Sequence, residues 1–261
     1  MILFYKYHGA GNDFIIIDNR QEFFKADRKT IAWLCDRKFG IGADGLILLQ
    51  NKKPYDFDMR YFNSDGNEGS MCGNGGRCIV AFARLMGLVD KKTRFHAVDG
   101  EHRAEIITNN GNDSIIKLKM SDVKKISKIE NDYFLDTGSP HLVRFAPKVK
   151  AIDVFTEGKK LRNDERLKPG GANINFVQVM KNKLFVRTYE RGVEDETLSC
   201  GTGATASALA YASKSGCDNS IEIITNGGKL KVYFKKDKES YRAIWLEGPV
   251  RLVYSGGVEV Q

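Results

Sequence analysis

Two cysteines, Cys72 and Cys200, stand in nearly the same surroundings. The first opens the run MCGNGGRCIVAFARLMGL from Met71 to Leu88, and the second opens SCGTGATASALAYASKS from Ser199 to Ser215. Each cysteine is followed by glycine and a small polar residue, and then by helix-forming apolar residues. A glycine-rich entry into a helix leaves the first backbone N–H groups without intrahelical partners, and with the helix dipole they favour an anion there. A thiol so placed has its thiolate form favoured. Two such thiols meeting across one ligand could act on a carbon bearing an ionisable hydrogen: one thiolate removes the proton, and the opposite thiol returns one to the other face. An unperturbed cysteine pKa of about 8.5 is close enough to neutrality for one thiol to be base while its twin is acid. If the carbon belongs to an amino acid, the carbanion charge spreads into its carboxylate. The N–H groups of Gly73, Asn74, Gly201 and Thr202 are the natural donors to that charge.

Other thiol chemistries fit less well. A nucleophilic cysteine needs its own base and orienter and leaves the second copy unexplained. A redox pair is open to thiols that meet, but no CxxC is present. Cys78, on the apolar helix, and Cys217, after the end of the second helix, read as structural thiols, and Cys35 reads as a buried small hydrophobe. His141, beside Gly138-Ser-Pro, divides evenly between a structural and a catalytic histidine. Cys72 and Cys78 lack metal-ligand spacing, so no metal is expected. The glycines of Phe39-Gly-Ile-Gly-Ala-Asp-Gly precede a strand and no P-loop lysine follows, which weakens a nucleotide-loop reading.

The echo extends to the elements that must carry the cysteines. With Arg60 set over Arg187, Asn63 falls on Glu190 and Cys72 falls one place short of Cys200. The order strand, acidic turn, Cys-Gly-x-Gly, helix, strand therefore recurs, as in an internal duplication. The spacing predicts strands at Ile2–Tyr7 and Phe14–Asp18 around a turn presenting Asn12 and Asp13, and an amphipathic helix over Asp27–Lys38. Asp164–Gly171 reads as a loop, Ala172–Met180 and Lys183–Tyr189 as a hairpin, and Ala243–Glu247 and Arg251–Tyr254 as separate strands. The polar, lysine-rich stretch near Asp122–Glu130 is the expected domain crossing, giving one half from 1–122 plus 250–261 with Cys72 and another from 123–249 with Cys200. The expected fold class is α/β of the α+β type: two pseudo-symmetric halves, each a curled, mostly antiparallel sheet wrapped around a central helix. Such halves would bring the two helix starts toward a shared cleft. Regular βαβ alternation is missing, which argues against a doubly wound nucleotide fold.

Composition excludes several classes. The 261 residues are enough for two moderate domains, and 42% hydrophobic content is ordinary for a globular chain. No apolar run reaches the length of a bilayer span, and the N-terminus lacks a signal-peptide pattern, so a soluble cytoplasmic protein is expected. The net charge of +8 raises nucleic-acid binding, but the lysine clusters sit among acidic residues without an aromatic platform or recognition motif and read as solvated surface. Five cysteines without secretory features do not suggest a disulfide scaffold.

The motifs HGAGNDF, GIGADG, FNSDGNE, MCGNGGRC, GSPH, ANINFVQ and YERGVEDETLSCGTGA together resemble the diaminopimelate epimerase family over nearly the full length. The resemblance implies cofactor-independent interconversion of L,L- and meso-diaminopimelate, in lysine and peptidoglycan synthesis, with Cys72 and Cys200 as the acid–base pair. It places Asn12, Asn63, Asn74, Asn173, Glu190 and Arg191 at substrate-binding positions, with main chain from Gly73, Gly201 and Thr202. Arg191 can grip the distal carboxylate bidentately, and His141 and Glu190 match positions that tune the thiols. The partner implied is a small diamino-dicarboxylate, with no nucleic acid and no membrane; a homodimer is compatible with it. The chain departs from the pattern at Ser139, where many relatives carry Asn, at Gly45, where some carry Gln, and in an extra acidic residue in Val193-Glu-Asp-Glu-Thr. A proline or hydroxyproline racemase with the same paired-thiol logic is the enzymatic rival, and it would leave Arg191 idle. A polyanion-binding protein without catalysis is the rival of another class.

Overall fold

The computed structural model describes residues 1–217 and 219–259. The backbone divides into two compact units, one formed by Met1–Leu118 with the chain from Gly248 on, the other by Lys119–Glu247. The crossings expected from sequence lay at 122/123 and 249/250.

The first unit begins with a hairpin, β1 (Ile2–Gly9) and β2 (Asn12–Asp18), closed by Ala10 and Gly11 at φ 51° and 86°. Two successive left-handed residues match the twist of a two-residue hairpin turn, which starts β2 at Asn12. Helix α1 (Arg28–Cys35), capped by Asp27 through Thr30 N, links β2 to the parallel strand β3 (Gly45–Gln50). The chain then forms β4 (Asp58–Asn63) and the short β5 (Glu68–Gly69), both antiparallel to what precedes them, and enters α2 (Gly73–Leu85). Strand β6 (Lys92–Ala97) returns parallel to β4, followed by antiparallel β7 (Gly100–Asn110) and β8 (Asp113–Lys119). Parallel pairs need a crossover, and α1 and α2 supply the two of this unit. Helix α2 packs on β1, β2, β3, β4 and β7 and is buried from Asn74 to Ala83.

The second unit repeats this order. The hairpin β9 (Ser127–Ile129), β10 (Asp132–Asp136) leads to antiparallel β11 (Pro140–Phe145), and α3 (Val154–Arg162) crosses to the parallel strand β12 (Asn173–Met180). Antiparallel β13 (Lys183–Glu190) and β14 (Asp195–Thr197) precede α4 (Gly201–Ser215), which crosses to β15 (Ser220–Thr225), parallel to β13. Antiparallel β16 (Gly228–Asp237) and the start of β17 (Ser240–Val258), up to Glu247, complete it, and the rest of β17 belongs to the first unit. Helix α4 packs on β10, β11, β12, β13, β15 and β16.

Several elements differ from the sequence reading, among them the following three. Ala243–Glu247 and Arg251–Tyr254 are one strand, because Pro249 sits where β17 changes partner from β16 to β8 and its lost N–H is tolerated. The segment 164–171 contains a 3-10 turn, Glu165–Leu167, capped by Asp164. Helix α3, absent from the sequence reading, is started by Asp153, whose side chain accepts from Thr156 N. No helix among the described residues is long and apolar enough to cross a membrane.

Candidate active site

Cys72 is the N-cap of α2: its backbone is still extended, and the next residue begins the helix. Its thiol donates to Asn12 Oδ1 at 3.5 Å, and Asn74 Nδ2 reaches the same oxygen at 3.4 Å. Asn12 is oriented from behind, since its Nδ2 donates to Asp44 Oδ2 at 2.8 Å. A carboxylate takes only a donor, so Asp44 fixes which end of the amide faces the sulfur. Asp44 is held by Arg37, which also makes a two-pronged pair with Asp13, and Asp13 in turn meets Lys6 at 2.7 Å. Below the helix start, wholly buried Arg77 donates to Gly73 O at 3.2 Å and to Asn74 Oδ1 at 2.7 Å. Gly73, Asn74 and Asn12 are thus gathered at one end of α2. Asn63 ends β4, opposite Gly45 of β3, and accepts from the Tyr61 hydroxyl at 2.9 Å.

Cys200 is the N-cap of α4, and its sulfur accepts from Gly203 N at 3.4 Å. Thr202 Oγ1 lies 3.4 Å from the same sulfur. The β10–β11 turn presents Ser139, whose hydroxyl lies 3.1 Å from His141 Nε2 and 3.5 Å from Thr202 Oγ1. His141 is fully buried and pairs in register with Asn173, the first residue of β12. Asn173 Nδ2 donates to Ser139 Oγ at 3.1 Å, while its Oδ1 accepts from Arg191 N at 2.8 Å. Burial pushes the His141 pKa down to about 3, and the Arg191 charge adds to the effect, so the imidazole is neutral at physiological pH. Glu190, at the end of β13, accepts from the Thr197 hydroxyl at 2.8 Å, and the Arg191 guanidinium reaches Gly170 O at 3.3 Å. Gly201 and Thr202 open α4 with N–H groups of its first turn. Cys200, Thr202, Ser139, His141 and Asn173 therefore form one connected set, with Glu190 and Arg191 at its edge.

The remaining cysteines have other surroundings. Burial pushes the Cys35 thiol up to about 12 and the Cys78 thiol far above the ordinary thiol range, so both stay protonated and inert. Cys217 is partly exposed beyond the end of α4. Among the described residues, no three His, Cys, Asp or Glu side chains gather as metal ligands.

The diaminopimelate epimerase family model matches residues 4–126 and 133–253. The diaminopimelate epimerase of Flavobacterium psychrophilum is 52% identical over 253 residues, covering 96% of this chain and 97% of that protein. That of Chlorobaculum tepidum is 43% identical, covering 96% and 98%. This chain belongs to the diaminopimelate epimerase family. Its fold is shared more widely: a Bacillus anthracis phenazine biosynthesis protein of the PhzF family superposes with a TM-score of 0.76 at 16% identity over 99% of both chains. A probable proline racemase from Agrobacterium radiobacter K84 does so with 0.74 at 15% identity, over all of this chain and 94% of the other.

Sequence reasoning missed four residues of these sets. Asn175 and Thr188, both buried, stand behind His141; Arg77 and Asp44 orient Asn74 and Asn12. Asn175 lies within the ANINFVQ motif, two residues along the strand from Asn173 and so on the same face, which was the available signal. Arg77 lies within MCGNGGRC, where a charged residue inside an otherwise apolar helix was the corresponding clue.

Proposed function

We propose that this protein interconverts L,L- and meso-diaminopimelate without a cofactor, with Cys72 and Cys200 as the acid–base pair. The observation that carries the reading is that each of two topologically repeated units starts its most buried helix with a cysteine at the N-cap. Family membership over nearly the whole chain supplies the substrate.

In this reading one thiolate takes the α-proton of one amino-acid end and the opposing thiol delivers a proton to the other face. Protons delivered or taken in place by such groups typically contribute about 10²- to 10⁴-fold in rate. The carboxylate on which the carbanion charge collects is met by N–H groups at Gly73, Asn74, Gly201 and Thr202, where fixed donors act most strongly on developing charge. Asn12, Asn63 and Asn173, with Glu190 and Arg191, hold the rest of the diamino-dicarboxylate, Arg191 taking the distal carboxylate. His141 and Glu190 adjust the thiols. The two units are read as the pseudo-symmetric halves of the duplication, each a curled sheet around its central helix.

Proton NMR of L,L-diaminopimelate in D2O with reduced protein and no added cofactor tests this. Loss of the α-proton signal with formation of the meso isomer is expected, and Cys72→Ser and Cys200→Ser should each abolish it. Absence of exchange by freshly reduced, folded protein rejects the substrate, with proline and hydroxyproline next in the tube.

A further inference from the structure

The orientation of Asn175 fixes a proton position that the histidine alone leaves open. Its Nδ2 lies 3.1 Å from Leu142 O and its Oδ1 accepts from Thr188 Oγ1 at 2.9 Å. A carbonyl cannot donate, so the atom facing Leu142 O must be the NH2 end of the amide. The same Nδ2 lies 3.0 Å from His141 Nδ1, which must therefore accept. A neutral ring with Nδ1 accepting carries its proton on Nε2, which points at Ser139 Oγ, 3.1 Å away; Asn173 Nδ2 also lies 3.4 Å from Nε2, but its two protons have closer acceptors in Ser139 Oγ at 3.1 Å and Pro140 O at 3.3 Å. Ser139 Oγ thus receives two donors, His141 Nε2–H and Asn173 Nδ2–H. Its own proton is left to donate, and Thr202 Oγ1 lies 3.5 Å away. Thr202 then turns its hydroxyl proton to the Cys200 sulfur at 3.4 Å, where Gly203 N also donates.

We infer that Asn175 is a positioning residue that locks His141 as the Nε2–H tautomer, so that a relay through Ser139 and Thr202 ends as a donor on the Cys200 sulfur. At Ser139 a single hydroxyl oxygen both accepts and donates, so one short side chain carries this step of the relay. His141 acts as a neutral donor and never as a charged partner, in keeping with its burial. The other charged groups carried into this set by the packed strands are Glu190 and Arg191, at the end of β13. The inference rests on Cys200 being a reacting thiol, as proposed above.

The test follows alkylation of Cys200 by iodoacetamide against pH in the full-length protein, by mass spectrometry of the Cys200 peptide. No substrate is needed, so the result is independent of whether diaminopimelate is turned over. A hydrogen bond to a charged group corresponds to about one to two pH units, so Thr202→Val should move the midpoint of alkylation upward by that amount. Thr202→Ser should restore it. Ser139→Ala, at a half-buried turn position, should give a smaller upward move and guards against a misfolded Thr202→Val. Nitrogen NMR of the wild-type histidines should show His141 protonated on Nε2 and bare on Nδ1, without titration over about pH 5–8. An Nδ1–H ring, or an unchanged alkylation profile in both Thr202→Val and Ser139→Ala, overturns the relay.

Discussion

Gly203 is where α4 comes closest to the strands that carry His141. A Cβ there would lie 2.3 Å from Asn175 Oδ1, 3.2 Å from Thr188 Oγ1 and 3.3 Å from Cys200 Cβ. Roughly an ångström must be found against Asn175, whose side chain is wholly buried and tied to His141, Leu142 and Thr188. Asn175 cannot give way without losing one of those bonds, and α4 cannot without lifting off the sheet. Overpacking of this kind costs about 1–3 kcal/mol, and a broken buried hydrogen bond adds about 1. The helix-propensity gain of alanine over glycine returns at most about 1 kcal/mol. Gly203→Ala is thus expected to destabilise the second unit by about 1–3 kcal/mol. Gly170→Ala is the contrast, since its Cβ would meet only Arg191 Nη1 at 3.7 Å, and its effect should stay within about 0.5 kcal/mol. Trp33 lies in the first unit and Trp245 in the second, so a Trp33→Phe background lets fluorescence in urea report the second unit alone. If Gly203→Ala unfolds at the same urea concentration as its parent, the close packing of α4 on Asn175 is wrong.

Two further outcomes are expected. Asp44→Ala frees the amide of Asn12 to turn beside Cys72 and should lower kcat/KM for α-proton exchange by about 10- to 100-fold with little change in thermal stability, as small misplacements in a site do. In acid, His141 and Asp13 contribute to the loss of stability over different pH ranges. His141, with its pKa pushed down by burial, stabilises the fold above the unfolded histidine value of about 6.5, and this is lost as pH falls toward about 3. Burial alone would raise Asp13, but Arg37 and Lys6 hold it well below the carboxylate range, so its contribution is present above about pH 4 and lost below that. His141→Gln should flatten the stability–pH curve between about pH 6.5 and 4, and Asp13→Asn should flatten it only below about 4; denaturation midpoints at fixed pH steps distinguish the two.

The repeat, the two cysteine-led helices and the residues lying in glycine-rich or polar motifs were legible because each leaves a local mark: a cap, a turn, an apolar period. Helix α3 left little. It is short, it carries Gly158 and three basic residues, and only its Asp153 cap and a narrow apolar face mark it. Its reason is tertiary: a Cβ at Gly158 would fall 2.4 Å from Tyr189 Cβ, so the glycine that weakens the helix locally is what lets it lie against β13. The break expected before Arg251 is absent because the strand continues through Pro249, where its partner changes. Residues that orient other residues were the least legible. The roles of Asn175, Thr188 and Asp44 exist only once strands apart in sequence are paired, whereas Arg77 bonds within its own helix.

The two helix starts reach similar ends by different physics. Gly73 and Gly201 each follow the cysteine, and each offers its carbonyl to a side chain four residues on, Arg77 Nη1 at 3.2 Å in one case and Thr205 Oγ1 at 3.0 Å in the other. The backbone frame is therefore the same, yet one position holds a cation and the other a neutral hydroxyl. Burial pushes the Arg77 pKa down, while nearby Cys78 and Cys72 push it back up. Its hydrogen bonds go to neutral oxygens, so a buried charge there gains most from an anion at the neighbouring sulfur. Cys78 cannot supply that anion, because burial holds it protonated. At Cys200 the corresponding support comes from N–H and O–H groups, with a neutral histidine behind them. A two-thiol mechanism needs each sulfur to be stable both with and without its proton. In the proposed mechanism the first unit would meet that need with a fixed charge opposed by the amide oxygen of Asn12, and the second with neutral donors whose hydroxyls can rotate as the proton arrives.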